Sequence, residues 1–523
     1  MRARVCGSAV VLALAVLAAA TPIFAQTAPS ASGWVRVGTT GGRIETLPSG
    51  AHILAVAEDW PVGRLIVVEQ ATGNPETVWV MRSLDGGATW SEGALPRGVA
   101  QVRLPPAIVG GQRLAFALTP SGLQRSTDNA ATWQLVLPSK TAGRLLVSPT
   151  FADDATALFM ADGVARASAD GGDTWRVLAS PIQDGTAPFS SVELSPDFGH
   201  DHTLFAVVEG QPFLGTLSVD GGEAWQAISP GDDLPVEALF ISPGFAVDRT
   251  LLATIATADS PYEDELTPQD LDPESATGAV PQAILVSNDG GTTWIPAHGL
   301  EQEGLPYRWH AFVQLSPTFE QDRTAFAFAY APWGHPSSGT YKNLPLLRRA
   351  LFRTDDGGLT WHSIFNRDTL VQTDGGERLV FSPDFAHDRF AVLWSVTRDI
   401  IGRGHTCRVS RTIDSGETWT VARQGGSSYL SGDRGCADMA IGGPPGNLAA
   451  IMGTYMGTWE VLTTMAPAGA GLPTDDRAMQ DTTARWDSTV ALVATIPASP
   501  SSGGSTMFVA RLDGSVWVLP AVP

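Results

Sequence analysis

The sequence predicts an all-β fold: a β-propeller of four-stranded antiparallel blades. Two observations carry this. One eight-residue pattern recurs seven times along the 523-residue chain. Short apolar runs lie between the copies, each bounded by turn residues, at a spacing that leaves room for four strands per unit. The 55 glycines and 37 prolines supply the turns and argue against a helical bundle.

The pattern first reads Ser83-Leu-Asp85-Gly86-Gly87-Ala-Thr89-Trp90. It returns around Asp128, Asp170, Asp220, Asp289, Asp356 and Asp414, ending each time in tryptophan: Trp133, Trp175, Trp225, Trp294, Trp361 and Trp419. The aspartates step by 43, 42, 50, 69, 67 and 58 residues. Such a period implies repeated units that bury their faces against their neighbours. Asp-Gly-Gly between apolar runs is a hairpin turn, because glycine supplies the positive φ. The carboxylate accepts hydrogen bonds from the turn, and the tryptophan buries a large ring between sheets. These seven aspartates are therefore expected to be structural. Equivalent positions spread around a ring cannot converge on one substrate.

A second repeat precedes the octets: Ser-Pro-x-Phe at Ser148, Ser195, Ser242, Ser316 and Ser382. Each is followed by an aspartate three residues after the phenylalanine: Asp154, Asp201, Asp248, Asp322 and Asp388. Serine and proline mark a turn here. One unit then reads as strands at 191–194, 203–208, 215–218 and 224–228. After the seventh octet, 437–464 holds three strand-like pieces, and 489–496, 507–512 and 516–519 hold three more. Residues 34–37, Trp-Val-Arg-Val, resemble the strand that follows each octet tryptophan. They are expected to complete the last blade and close the ring, giving seven blades with the octet and one or two degenerate ones.

The octet resembles the Asp-box, or bacterial neuraminidase repeat, Ser-x-Asp-x-Gly-x-Thr-Trp. The resemblance covers about residues 33–523 and implies the propeller fold. It leaves function open, because the same box occurs in sialidases, sortilin-type receptors and photosystem-assembly propellers. Sialidase chemistry would need an arginine triad on a carboxylate, a tyrosine nucleophile with a glutamate partner, and an aspartate acid. Arg43-Ile44 only echoes the family's Arg-Ile-Pro segment. Arg103, Arg308 and Arg434, with Tyr307 or Tyr429, are the residues that could approach a loop-bearing face, and none stands in a family motif. A non-sialidase member is the expected reading.

Domain organisation follows from the N-terminus. Arg2 and Arg4 precede an apolar stretch at 7–20 and a small residue, Ala25. This reads as a signal peptide over 1–25, then a linker at 26–32 and the propeller at 33–523. The protein is expected to be secreted, or held at the cell surface or in the periplasm, after cleavage near Ala25. No later stretch is long enough to span a membrane. Export makes a disulfide between Cys407 and Cys436 plausible.

By strand parity, the Ser-Pro-x-Phe turns and the Asp-box turns share one end of the fold. The long insertions fall at the other end: 258–282, rich in acids, and 331–349, with Trp333, His335, Tyr341 and Lys342. Residues 304–310 add Tyr307, Arg308, Trp309 and His310. Aromatics with arginine on loops over a rigid scaffold suit a protein or glycan ligand. The candidate site is Tyr307, Arg308, Trp309, His310, Trp333 and Tyr341. The acidic insertion lacks the Asp-x-Asp-x-Asp-Gly calcium spacing, so no metal and no cofactor are expected. A net charge of −21 and only two lysines, Lys140 and Lys342, disfavour nucleic acid. The expected function is non-catalytic binding by a monomer. The alternative is a sialidase-like exo-glycoside hydrolase acting in the central cavity.

Overall fold

The computed structural model describes residues 35–37, 51–58, 65–71, 78–86, 89–93, 99–141, 143–181, 188–208, 214–228, 230, 236–255, 284–300, 310–330, 350–364, 378–382, 385–398, 405–426, 436–442, 449–454, 459–463, 490–497, 505–511 and 516–519. Among these the structure is all-β, with a few one-turn helices. Eight sheets have four antiparallel strands, one has three, and a two-stranded ribbon stands apart. Numbered along the chain, the first sheet covers 51–93, the second 101–138, the third 144–177 and the fourth 189–227. The fifth covers 236–296, the sixth 310–363, the seventh 378–426 and the three-stranded eighth 436–463. The ninth combines 490–519 with Val35–Val37, which pairs Val35 with Val518 and Val37 with Val516.

The second strands form because apolar, β-branched runs are buried on both faces, while the fourth strands are exposed. In the fourth sheet the second strand, Leu204–Val208, is buried throughout. Successive side chains on a strand face opposite ways. Leu204 and Ala206 therefore enter a core with Leu158, Ala165 and Leu178 of the third sheet, while Phe205 packs with Phe245 and Leu251 of the fifth. Every such strand thus glues its sheet to two neighbours, and each fully buried large side chain contributes about 1.5–3 kcal/mol. The residue leaving the fourth strand, such as Leu178, Ile228 or Ala297, also enters the core shared with the next sheet.

The Ser-Pro-x-Phe turns are single helical turns: Phe151–Asp154, Phe198–Asp201, Phe245–Asp248, Phe319–Asp322 and Phe385–Asp388. The phenylalanine is buried each time. The serine hydroxyl donates to the aspartate six residues on, for example Ser195 to Asp201 at 2.6 Å. The other carboxylate oxygen accepts the N–H two residues later, as from Thr203 at 2.8 Å. The intervening residue is left-handed, although none is glycine: Ala155, His202, Arg249, Arg323 and Arg389 have φ of 50–55°.

Its carbonyl has a partner in the Asp-box. Gly171 N–H donates to Ala155 at 2.9 Å, Gly221 to His202 at 2.9 Å and Gly357 to Arg323 at 3.1 Å. The two recurring turns are thus tied together at one end of each sheet. The second sheet lacks the helix. A ribbon of Ile108–Val109 and Gln112–Arg113 replaces it, and Asn129 N–H donates to Arg113 in the same way.

Candidate functional site

At the Asp-box end the carboxylates are engaged within their own turns. Asp170 accepts the Ser168 hydroxyl at 2.8 Å, the Thr174 N–H at 3.0 Å and the Thr174 hydroxyl at 2.6 Å. Asp289 repeats this with Ser287, Thr293 and the N–H of Thr292. Desolvation pushes the Asp170 carboxyl up, but the Thr174 and Ser168 hydrogen bonds outweigh it and hold it at about 2. The Thr293 hydroxyl and N–H lead in bringing Asp289 to about 2. Asp220 has Ala224 where the others have threonine. It keeps the Ala224 and Glu223 N–H bonds and the Ser218 hydroxyl, without a second hydroxyl donor from position 224.

Four of the boxes are also clamped by an arginine of the preceding sheet. Arg82 donates to the carbonyl of Asn129 at 2.9 Å, Arg125 to Gly171 at 2.7 Å, Arg176 to Gly221 at 2.5 Å and Arg353 to Ser415 at 2.6 Å. Arg125 adds an ion pair with Asp173 at 2.6 Å. The tryptophans close the corner. The indole N–H of Trp175, Trp361 and Trp419 donates to the carbonyl three residues back, while Trp294 reaches both Gly291 and Ile228 of the preceding sheet. This end spends its polar groups on its own architecture.

The opposite end is defined by where strands stop. In the fifth sheet the second strand ends at Ile255 and the third begins at Ile284. In the sixth, the first strand opens at His310, the second closes at Tyr330 and the third opens at Ala350. His310 and Tyr330 are Cα partners. The segments 256–283, 301–309 and 331–349 thus attach to one end of two neighbouring sheets, away from the Asp-boxes. Of the candidate residues, His310 stands at that end of the sixth sheet. Tyr307, Arg308, Trp309, Trp333 and Tyr341 lie outside the described residues, as do Arg43, Arg308, Arg434 and Tyr429. Cys407 lies in the third strand of the seventh sheet and Cys436 opens the first strand of the eighth.

One sequence expectation is corrected. Arg103 does not belong to the insertion-bearing end. It closes the first strand of its sheet, where the chain turns toward the ribbon at the Asp-box end, and pairs with Glu58 at 2.7 Å. Other features went unseen in the sequence. Arg144 of the third sheet and Glu193 of the fourth join neighbouring first strands at 2.6 Å. Phe240 and Phe312 of the fifth and sixth meet edge to face, with centroids 5.7 Å apart and Phe312 54% exposed. No sequence signal marks these, because each pair joins residues from different sheets.

Among the described residues no three His, Cys, Asp or Glu side chains gather as metal ligands. No helix of theirs is long and apolar enough to cross a membrane.

Fold and corners together define an all-β protein of propeller-like construction. No family model and no curated protein matches the chain. Among solved structures it is similar to YCF48 from Cyanidioschyzon merolae, at 15% identity over 72% of this chain and 95% of that one, with a TM-score of 0.34. It is also similar to a GH74 xyloglucanase from Xanthomonas campestris, at 12% identity over 91% of each chain and TM-score 0.33. A third is Sqt1 from Saccharomyces cerevisiae, at 9% identity over 91% of this chain and 99% of that one, with TM-score 0.38.

Proposed function

We propose that this chain is an exported, non-catalytic β-propeller of Asp-box type that binds a protein or glycan ligand at the end opposite the Asp-box turns. In this reading the nine sheets are nine blades of one closed ring. Support for closure comes from the ninth sheet. Val35–Val37 is its outer strand, and its 490–497 strand lies beside both 436–442 of the eighth sheet and 51–56 of the first. The aspartates of the boxes act as structural corner pieces.

The observation that carries the binding site is the contrast between the two ends. Box carboxylates and box carbonyls are taken up by hydrogen bonds inside and between corners. The three longest segments between strands of the fifth and sixth sheets attach at the other end, with Tyr307, Arg308, Trp309, Trp333 and Tyr341 among their residues. Loops on a rigid scaffold are where recognition residues concentrate, and tryptophan and arginine dominate binding energy.

The test is capture of ligand from a printed glycan array and from a displayed linear-peptide library. Trp309→Ala and Trp333→Ala are each expected to weaken the captured hit by tenfold or more, roughly 1.4 kcal/mol, with the thermal midpoint unchanged. Capture unaltered in both variants, or no hit from either library, contradicts the reading.

A further inference from the structure

We propose that Cys407 and Cys436 form a disulfide that ties the seventh sheet to the eighth. The argument is one of register. In the third sheet, Ser168 of the Asp-box pairs with Ala157, and Gly163 stands five residues before that serine. In the seventh, Thr412 of the box pairs with Ala391, and Cys407 stands five residues before that threonine. Cys407 therefore holds the position of Gly163.

The first strands align equally well through an irregularity that they share. In the fourth sheet the register slips between Phe189 and Ser191, and Ser191 pairs with Val207. In the fifth it slips between Val236 and Ala238. In the eighth it slips between Cys436 and Asp438, and Asp438 pairs with Gly453. Cys436 therefore holds the position of Phe189 and Val236.

At the junction of the third and fourth sheets these two positions touch. Phe189 N–H donates to the Gly163 carbonyl at 3.1 Å. With a single N–H···O=C bond of that length, standard bond lengths put the two Cα atoms about 5–6.5 Å apart, inside the usual disulfide range of about 4.4–6.8 Å. Orientation follows from strand alternation: Ala165 and Ala167, three and one residues before the box serine, enter the core shared with the fourth sheet, and an extended residue five before it, as Cys407 is in its strand, falls on the same face. Phe189 packs into the core that its sheet shares with the third, and Val236 into the one shared with the fourth. Side chains at both positions thus face the junction.

The seventh-to-eighth junction is also where the recurring corner stops. The eighth sheet follows the last Asp-box, so no box lies there for an arginine clamp of the kind Arg353 makes on Ser415. A covalent tie at the opposite end would secure the sheet that has three strands among the described residues.

Formation is an oxidation. The two thiols lose two protons and two electrons and gain one S–S bond. The electrons reduce a disulfide oxidant, such as glutathione disulfide, to two thiols. Because that oxidant can be supplied in the tube, the test does not depend on export or on ligand binding.

The purified full chain is equilibrated with glutathione disulfide, denatured, alkylated without reductant and mapped by peptide mass. The expected result is one cross-linked peptide joining Cys407 to Cys436, with both sites alkylated only after reduction. Cys407→Ser, Cys436→Ser and the double variant should then lower the thermal midpoint by the same amount, since each removes the same bond. Both cysteines alkylated without reductant, both carrying glutathione, or a link between two chains overturns the proposal. Additive shifts from the two single variants overturn it as well.

Discussion

Trp361→Ala is expected to lower the unfolding free energy by about 4 kcal/mol. Trp361 is 1% exposed and fills the core between the fifth and sixth sheets, with Leu252, Ile284, Val313 and Phe352 around it. Its indole N–H donates to the Gly358 carbonyl at 2.8 Å, so truncation leaves a buried acceptor without that partner as well as a cavity. The backbone on either side is locked. Trp361 N–H donates to His298 at 2.8 Å, and a Cβ on Gly299 would come within 2.1 Å of the Trp361 carbonyl oxygen. The chain cannot slide in to refill the space. Trp133 is the internal control. It is only half buried, and its indole N–H has no partner among the described residues. Trp133→Ala should therefore cost less than half as much. Urea unfolding of both variants checks this, and equal losses would contradict the account of the corner.

The second large effect falls on the second glycine of a box. Gly172→Ala should cost about 3 kcal/mol, the sum of a left-handed alanine and an overpacked core. Gly172 has φ of +85°, and a Cβ there would lie 2.7 Å from Cε1 of Phe116 in the preceding sheet. Phe116 is fully buried and packs edge to face on Phe151, so it has nowhere to go. Gly171 offers the contrast. Its φ is +70°, but the nearest atom to a Cβ is a Leu114 methyl at 3.3 Å. Gly171→Ala should cost only the backbone term, about 1 kcal/mol. The second box shows why the neighbour matters. Ala130 occupies the equivalent place at φ of +61°, fully buried, and the register position that Phe116 holds in the second sheet is taken in the first by Val67, a member of the same core. The shorter valine leaves room there for the methyl that Phe116 denies. Thermal midpoints that fall equally for Gly171→Ala and Gly172→Ala would remove close approach between sheets from the explanation.

These two positions also show what could be read from residues alone. The Asp-Gly-Gly turn is local chemistry, set by positive φ and by a carboxylate four residues before a threonine. The octets therefore located seven corners, and the strand pieces at 437–464 and 489–519 emerged as strands without one. The short helix after Ser-Pro was read only as a turn, because a single helical turn has no periodicity to betray it. The ribbon at Ile108–Arg113 was not anticipated, since it substitutes for a motif rather than repeating one. Contacts between sheets were hardest. Arginine precedes the box serine or threonine at 82, 125, 353 and 411, a pattern visible in the letters. Its meaning needs the next corner in space, as does the pairing of Phe240 with Phe312. Arg103 was misplaced for the same reason: its end of the sheet depends on a turn that does not carry the Ser-Pro-x-Phe signature.

The proposed function places the sheets in one closed ring, and a cysteine pair tests that closure most directly. Arg36 and Trp517 are Cα partners between the outer strand and the last strand of the chain. The double variant Arg36→Cys, Trp517→Cys, oxidised and mapped by peptide mass, should yield an internal cross-link joining 36 to 517 in nearly every molecule. Thiols at 36 and 517 that stay free, or that join only between chains, would mean that the first and last strands do not meet.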